Sequence, residues 1–271
     1  MGTELNEATA ARKWYNIYPG GTARDGANSL GFNAGPGLSN CQTDPATDDV
    51  AFAAAIFDWM GTGPLCVDRD RIFAMGFSNG GAMTFRLQVR ASAPGCACRA
   101  AIPMARSNGR ALTPPGAMQC EFSHVLRAIS VTGMRLARAW APGGELCQPT
   151  RRIPIVGFCG DQDGICEGAT ESGFSQEELM ELTAREQGCT TAPFETFTSG
   201  SSTCVAQAGC GPSGLDTIEF CGIRGLGHTW PGSTCCTDRC LGEPCEPAEG
   251  DVPASAYMLE YFSRLPPLPP Q

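Results

Sequence analysis

The sequence predicts an α/β fold, in which a mostly parallel sheet is flanked by helices. Two apolar stretches, residues 72–77 and 153–159, have the length and composition of buried strands. A helix-forming segment, 82–91, follows the first stretch, and a second one with a serine cap, 175–187, follows the other. Strands that are covered by helices on both faces are typical of parallel sheets.

Length and composition favour a single domain over residues 1–271. A chain of 271 residues with 42% hydrophobic content can bury one large core. The net charge of -9 and the absence of any Lys/Arg run argue against a nucleic-acid or anionic-membrane partner. No apolar stretch approaches the length that a membrane helix needs. We therefore expect neither nucleic acid nor a membrane as partner.

The 16 cysteines indicate disulfides and an oxidising compartment, so we expect a secreted protein. Residues 1–20 carry no pattern of a secretory leader, which leaves a removed leader or a longer gene product as alternatives. The cysteines at 235, 236, 240 and 245 could instead bind zinc. They lack a convincing pair of Cys-x2-Cys motifs, and disulfides are therefore favoured.

The N-terminal part predicts a short helix, a strand and a capped helix. Residues 4–13 suit a helix, and residues 14–19 suit a strand that a proline ends. A loop rich in glycine, asparagine and proline follows over 20–45. Asp48 and Asp49 then precede an apolar helix, where capping explains the two acids better than a catalytic or metal-binding role does.

The first buried strand ends in a Gly-x-Ser-x-Gly motif centred on Ser78. Between a strand and a helix, this motif forms a tight turn that exposes the serine hydroxyl, and Gly76 and Gly80 give it the room it needs. The backbone N–H of Asn79 then faces any charge that develops on a substrate oxygen. The alternative is a structural turn with a solvated serine.

The middle of the chain predicts less regular structure. Residues 100–104 resemble a short buried strand. Residues 107–149 form a candidate cap insertion, in which we expect an apolar helix over 125–140. His124 lies in this segment and is interpreted as a surface or capping residue rather than a base.

The C-terminal part supplies two further polar groups at strand ends. The strand at 153–159 leads to Asp161 and Asp163, and a strand at 217–223 leads to a glycine-flanked loop that contains His228. The carboxyl ends of parallel strands lie at one edge of a sheet, so these groups can meet there. A closing helix at 254–265 and an extended tail at 266–271 complete the chain.

Ser78, Asp163 and His228 are the predicted catalytic residues. A hydroxyl needs a base to become a nucleophile, and a carboxylate keeps an imidazole in the useful tautomer. The order Ser, Asp, His along the chain is that of the α/β hydrolases. Asp163 is preferred to Asp161 as the acid. A metal-binding or structural role is the alternative for His228, one of 2 histidines in the chain.

Three motifs together resemble the secreted esterases of the polyhydroxybutyrate depolymerase and feruloyl esterase type. They are residues 67–72 running into Gly-Phe-Ser-Asn-Gly-Gly-Ala-Met at 76–83, Ile-Pro-Ile-Val through Cys-Gly-Asp-Gln-Asp at 153–163, and Gly-His-Thr-Trp-Pro-Gly at 227–232. The resemblance implies an α/β-hydrolase fold with disulfide-rich loops, a Ser78, Asp163 and His228 triad, and no cofactor or metal. It also implies ester substrates such as feruloylated or acetylated polysaccharide, or hydroxyalkanoate polyester. Trp230 would stack on an aromatic or sugar group; simple packing is its alternative.

Two departures from this family matter. Cys159 stands where the family usually has histidine. The family's N-terminal strands, and the loop that supplies a second oxyanion N–H, have no counterpart before residue 14. A fragment, a truncated gene model and a rebuilt N-terminus are the alternatives. The rival function is an impaired or inactive hydrolase-fold binding protein, while a peptidase of the same fold and a cysteine-rich structural protein rank lower.

Overall fold

A computed structural model describes residues 2–23, 30–35, 47–88, 122, 124–138, 153–168, 173–210, 216–233 and 252–266. The helices are α1 (Gly2–Ala10), α2 (Asp49–Thr62), α3 (Asn79–Gln88), α4 (Gln176–Glu186) and α5 (Ala254–Arg264). The strands are β1 (Thr22–Ala23), β2 (Leu30–Gly31), β3 (Phe73–Phe77), β4 (Ala128–Thr132), β5 (Leu136–Ala137), β6 (Ile155–Gly160), β7 (Gly173–Phe174), β8 (Phe194–Ser199), β9 (Ser202–Cys210) and β10 (Asp216–Ile223).

A six-stranded mixed sheet forms the centre of the described structure, in the order β3-β4-β6-β10-β9-β8. Strands β3, β4, β6 and β10 pair in parallel, and β9 and β8 continue the sheet in antiparallel pairing. Two small two-stranded sheets, β1-β2 and β5-β7, lie apart from it. The predicted α/β class with a mostly parallel sheet is thereby confirmed, and β3 and β8 are the edge strands of the described sheet.

Helices cover both faces of the parallel strands. On one face, α3 and α4 pack against β3, β4, β6 and β10, with Phe85, Ile129 and Leu179 fully buried in the core between them. On the other face, α5 packs against β6, and Phe158 and Phe262 are fully buried. Neighbouring residues of a strand point to opposite faces, so each parallel strand contributes to both cores.

Several predicted helix starts are confirmed with their caps. Asp48 accepts a hydrogen bond from the Ala51 N–H at 2.9 Å, which satisfies one free N–H at the start of α2. At α4, Ser175 accepts from the Glu178 N–H at 3.1 Å, and the Glu178 carboxylate accepts from the Ser175 N–H at 2.9 Å. This reciprocal pair is the capping box that the sequence predicts.

The predicted helix over 125–140 is wrong. Residues 128–132 form β4, which lies between β3 and β6 with every residue buried, and residues 136–137 form β5. The described part of the candidate cap insertion 107–149 therefore includes a strand of the central sheet; the rest of that range lies outside the described residues. A short apolar run such as that at 128–132 suits a buried strand as well as a helix.

The predicted strand at 14–19 is also wrong, because no strand forms there. Trp14 stacks on Phe73 at 5.3 Å between ring centroids, whereas Tyr15 and Tyr18 are exposed. The aromatic and β-branched residues of this segment favour a strand only where neighbouring strands and same-face side chains pack against them. The predicted strand at 100–104 and all but the first residue of the tail at 266–271 lie outside the described residues.

The described residues form three disulfides, namely Cys159–Cys166, Cys189–Cys210 and Cys204–Cys221. Cys66 is exposed and has no disulfide partner among the described cysteines. The remaining cysteines, including those of the zinc alternative at 235–245, lie outside the described residues. Within the described ranges there is no His, Cys, Asp and Glu group that could hold a metal ion, and no helix is long and apolar enough to cross a membrane.

Candidate active site

Ser78 occupies a strained turn between β3 and α3. Its backbone φ is +54°, a left-handed conformation that non-glycine residues rarely adopt and that costs about 1–3 kcal/mol. The Ser78 N–H donates to the Thr132 carbonyl at 2.9 Å, which ties the turn to the end of β4. At Gly76 a Cβ atom would lie 2.1 Å from the Gly80 carbonyl oxygen. The predicted role of Gly76, to allow strand and helix to approach closely, is thus visible in the geometry. The same prediction for Gly80 is wrong, because a Cβ atom there would meet nothing within 4 Å.

The structure brings Ser78, His228 and Asp163 together in one hydrogen-bonded row. The Ser78 Oγ lies 2.9 Å from the His228 Nε2, and the His228 Nδ1 lies 2.8 Å from the Asp163 Oδ2. Asp163 is 1% exposed, and its Oδ1 accepts a hydrogen bond from the Ile165 N–H at 2.9 Å. Both carboxylate oxygens are therefore engaged, and one of them is directed at the imidazole.

The sheet register explains why the acid and the histidine meet. Strands β6 and β10 are parallel neighbours, with Gly160 opposite Ile223 at their carboxyl ends. The loops that leave these two strands are hydrogen-bonded to each other, through the Asp161 N–H to the Ile223 carbonyl at 2.9 Å and the Gln162 N–H to the Leu226 carbonyl at 3.0 Å. Residues that follow the two strands consequently lie side by side at this edge, as expected for parallel strands.

Two residues that sequence reasoning missed pack around the imidazole. The Phe77 ring lies 4.7 Å from the His228 ring between centroids. Gly133, directly after β4, has a φ of +57°, and a Cβ atom there would lie 2.7 Å from the Phe77 ring and 3.2 Å from the Asp163 Oδ2. A glycine after a buried strand was the available signal, but its neighbours come from distant parts of the chain.

The side chain of Asn79 joins the elbow, the strand-to-helix turn at 76–80, to the segment 31–35. Its Oδ1 accepts from the Phe32 N–H at 2.7 Å, and its Nδ2 donates to the Phe32 carbonyl at 2.9 Å. Asp49 holds the same segment, because its buried carboxylate accepts from the Asn33 N–H. Asp49 thus does more than the capping that its position predicts.

The backbone N–H groups of this segment are already engaged. Phe32 donates to Asn79 and Asn33 donates to Asp49. The Ala34 N–H donates to the Phe32 carbonyl, and the Gly35 N–H to the Asn33 side chain. Asn79 itself is the first residue of α3, so its N–H has no acceptor inside that helix. Of these groups, the Asn79 N–H is the one suited to an oxyanion.

Asp161 and His124, the alternative acid and the second histidine, lie elsewhere. The Asp161 carboxylate accepts from the Gly225 N–H at 2.7 Å and pairs with Arg224 at 3.2 Å. Partial burial opposes the effect, but the hydrogen bond from the Gly225 N–H and those from neighbouring side chains hold the pKa of Asp161 below its usual value. His124 is exposed, beside Phe122.

Trp230, for which the sequence predicts substrate stacking, lies in the core. The indole is 5% exposed and packs in the core beneath α5, where its Nε1 donates to the Ser255 Oγ at 3.0 Å. A buried tryptophan usually satisfies its N–H in this way. Trp230 therefore anchors the loop that carries His228, and its burial favours the packing alternative.

The fold and the site place the chain among α/β proteins compatible with the hydrolase fold, and comparison with known proteins relates it to esterases. It is 27% identical over 207 residues, 73% of this chain, to "Feruloyl esterase B" of Piromyces equi. It is 30% identical over 205 residues, 75% of this chain, to "Putative esterase NocK" of Nocardia uniformis subsp. tsuyamanensis. No protein-family model matches the chain.

The matched region is only part of each relative. The alignments cover 31% of the feruloyl esterase and 54% of the Nocardia protein, so the chain spans about a third to about half the length of the curated relatives it matches. These similarities support an esterase relationship in general.

Proposed function

We propose that the chain is a carboxylic ester hydrolase that acts through Ser78, His228 and Asp163 and an acyl-enzyme intermediate. The observation that carries the proposal is the hydrogen-bonded row from the Ser78 hydroxyl through His228 to the buried Asp163 carboxylate, with spacings of 2.9 and 2.8 Å. The strained φ of Ser78 supports it, because such strain accumulates at functional sites. The similarity to two esterases agrees with this activity.

In the first half-reaction, the Ser78 Oγ attacks the ester carbonyl carbon and His228 Nε2 takes the hydroxyl proton. Asp163 stays ionised, keeps the imidazole oriented and stabilises the imidazolium. The carbonyl oxygen becomes an oxyanion, which the Asn79 N–H and the positive end of α3 stabilise. The C–O bond to the alcohol then breaks, and His228 gives its proton to the departing alkoxide.

In the second half-reaction, water attacks the acyl-enzyme and His228 accepts its proton. The resulting oxyanion collapses, the bond to the Ser78 Oγ breaks, and the proton returns to that oxygen as the carboxylic acid leaves. These steps need no cofactor and no metal, since every proton moves between substrate, water and the three side chains.

For the substrate, we propose esters attached to polymers, either feruloyl or acetyl groups on polysaccharide or a hydroxyalkanoate polyester. The name of the feruloyl esterase from Piromyces equi supports the first class. The three disulfides fit an oxidising, extracellular location, which we propose for the protein. Hydroxyalkanoate polyester, the substrate of the polyhydroxybutyrate depolymerase type, is the second class of substrate in this proposal.

A catalytically impaired or inactive binding protein is the second candidate, and one observation favours it. The N–H groups of residues 32–35 beside the elbow are all engaged, so this segment offers no second oxyanion donor. Loss of one such donor lowers kcat by about 10²–10³-fold in other serine hydrolases. This candidate predicts binding of polysaccharide or polyester without turnover.

The experiment compares the wild type with Ser78→Ala, using p-nitrophenyl butyrate hydrolysis and covalent labelling by a fluorophosphonate. Ser263→Ala is the matched control, because this serine is exposed on α5 and its hydroxyl donates to the Leu259 carbonyl within that helix. We expect Ser78→Ala to lose both hydrolysis and labelling while Ser263→Ala keeps both. Equal hydrolysis by the wild type and Ser78→Ala would refute the mechanism, and polymer binding without labelling of the wild type would favour the binding protein.

A further inference from the structure

The Cys159–Cys166 disulfide closes the segment that carries Asp163. Cys159 is part of β6, and Cys166 lies three residues beyond Asp163, with the two Cα atoms 5.9 Å apart. Both cysteines are buried, at 4% and 0% exposure. Cys159 is also the position at which the sequence departs from the esterases it resembles. At this position the cysteine forms a disulfide, which a histidine could not do.

The closed segment has little packing of its own. Gln162, Gly164 and Ile165 are exposed, and Ile165 is 42% exposed despite its apolar side chain. Asp163 is the buried member, and its carboxylate must stay directed at His228 although it would be better solvated in water. Side-chain packing in this segment therefore does little to hold the carboxylate in place.

Backbone hydrogen bonds to the neighbouring loop hold the first half of the segment, from the Asp161 N–H to the Ile223 carbonyl and from the Gln162 N–H to the Leu226 carbonyl. The Asp163 N–H donates to the Gly160 carbonyl at 3.0 Å, and the Glu167 N–H donates to the Asp163 carbonyl at 2.9 Å. The Gln176 N–H donates to the Cys166 carbonyl at 2.7 Å, which joins the far end of the segment to the start of α4. The disulfide links this far end directly to the strand from which the segment departs.

We propose that the Cys159–Cys166 disulfide is a positioning device for Asp163: it keeps the carboxylate within hydrogen-bonding distance of His228 during turnover. A covalent link removes conformations in which the two ends separate and the carboxylate turns to solvent. The proposal rests on the proposed esterase function. It assigns the disulfide a role in catalysis that acts through Asp163, in addition to any effect on stability.

The test compares two disulfide deletions in the full chain. One variant is Cys159→Ala/Cys166→Ala, and the control is Cys204→Ala/Cys221→Ala, which removes another buried disulfide, between register partners of β9 and β10. Both are assayed with p-nitrophenyl butyrate well below their unfolding midpoints. We expect a kcat loss of about 10–100-fold with little change in KM for the first variant, since misplacement of a catalytic group by about 1 Å costs this much. The control keeps its kcat although its Tm falls.

A second comparison tests whether the effect passes through Asp163. The same Cys159→Ala/Cys166→Ala change is made in an Asp163→Asn background. There we expect kcat to change by less than about two-fold, because changes that act on one contact are not additive. If the alanine pair does not fold, Cys159→Ser/Cys166→Ser replaces it, since two hydroxyls can hydrogen-bond in the space of the two sulfurs.

Three results would overturn the proposal: an unchanged kcat in the first variant, an equal kcat loss in both disulfide deletions, or a full additional loss in the Asp163→Asn background. Failure of the esterase function itself is distinguishable, because the wild type would then show no hydrolysis that depends on Ser78.

Discussion

Gly133 is the position at which a single methyl group tests the geometry of the site most directly. In Gly133→Ala the new Cβ would lie 2.7 Å from the Phe77 ring and 3.2 Å from the Asp163 Oδ2. The backbone would also keep a φ of +57°, which disfavours any side chain. Both groups in contact with the new atom also touch His228, so the substitution should disturb the imidazole from two sides.

The expected cost has two parts. The left-handed backbone contributes about 1–2 kcal/mol for an L-residue, and overpacking against a ring contributes about 1–3 kcal/mol. At roughly 2–4 °C per kcal/mol for a domain of this size, Tm should fall by about 4–20 °C. The ring must also shift by several tenths of an ångström, and we expect kcat on p-nitrophenyl butyrate to fall by about 10–100-fold.

Gly225→Ala is the matched control. Gly225 has a φ of +72°, so it carries the same backbone penalty, but a Cβ atom there meets nothing within 4 Å. This variant should lose about 1–2 kcal/mol of stability and keep its kcat. Similar losses of Tm and kcat in both variants would show that backbone strain, and not contact with Phe77 and Asp163, determines the effect, and would refute this account of Gly133.

Three further substitutions test other parts of the site and core. Asn79→Asp can still accept the Phe32 N–H but cannot donate to the Phe32 carbonyl, and its charge opposes an oxyanion, so kcat should fall by about 10²-fold or more. Asn79→Ala should mainly lower Tm. Wild-type kinetics and Tm in both variants would contradict the described contacts. Trp230→Phe loses the hydrogen bond to Ser255, so the free energy of unfolding, measured with denaturant, should fall by about 1–2 kcal/mol while kcat stays unchanged. A loss of kcat/KM on aromatic esters at unchanged stability would instead support the substrate-stacking role. Burial raises the pKa of the Tyr261 hydroxyl in the folded protein, so the stability that this residue provides is present below about pH 10, its pKa in the unfolded chain, and is lost as pH rises above that value. In Tyr261→Phe, Tm should therefore fall less steeply above about pH 10 than in the wild type. Parallel curves of Tm against pH for the two proteins would contradict this assignment.

The catalytic candidates could be predicted from the sequence because each follows a strand that is recognisable by itself. Ser78 comes after a strand of mostly apolar residues within a glycine motif, and Asp163 and His228 follow two further strands. For parallel neighbours, position at a strand end is enough to predict proximity. The chain order of the three residues then restricts the choice among several aspartates.

Residues whose role depends on distant neighbours could not be predicted in this way. Gly133 is constrained by Phe77 and Asp163, and Asp49 accepts a hydrogen bond from Asn33. In neither case does the local sequence identify the partner. The hairpin of β8 and β9 was missed for a related reason: β8 is mostly exposed, so it lacks the apolar run by which buried strands are recognised. The strand β4 has that apolar run, but periodicity alone does not distinguish it from a buried helix.

Different contacts hold each of the three catalytic candidates in place, and these contacts determine which candidate is displaced first when the protein begins to unfold. Ser78 is fixed by close packing of strand and helix around glycine and by its bond to Thr132. His228 is fixed two residues later by Trp230, which is buried under α5. Asp163 is itself buried but is followed directly by the exposed residues Gly164 and Ile165, in a segment that the Cys159–Cys166 disulfide closes. Local stability follows buried contacts, so the segment that carries Asp163 should open first under mild denaturant, before the sheet unfolds, and catalysis should be lost through the acid rather than through the nucleophile.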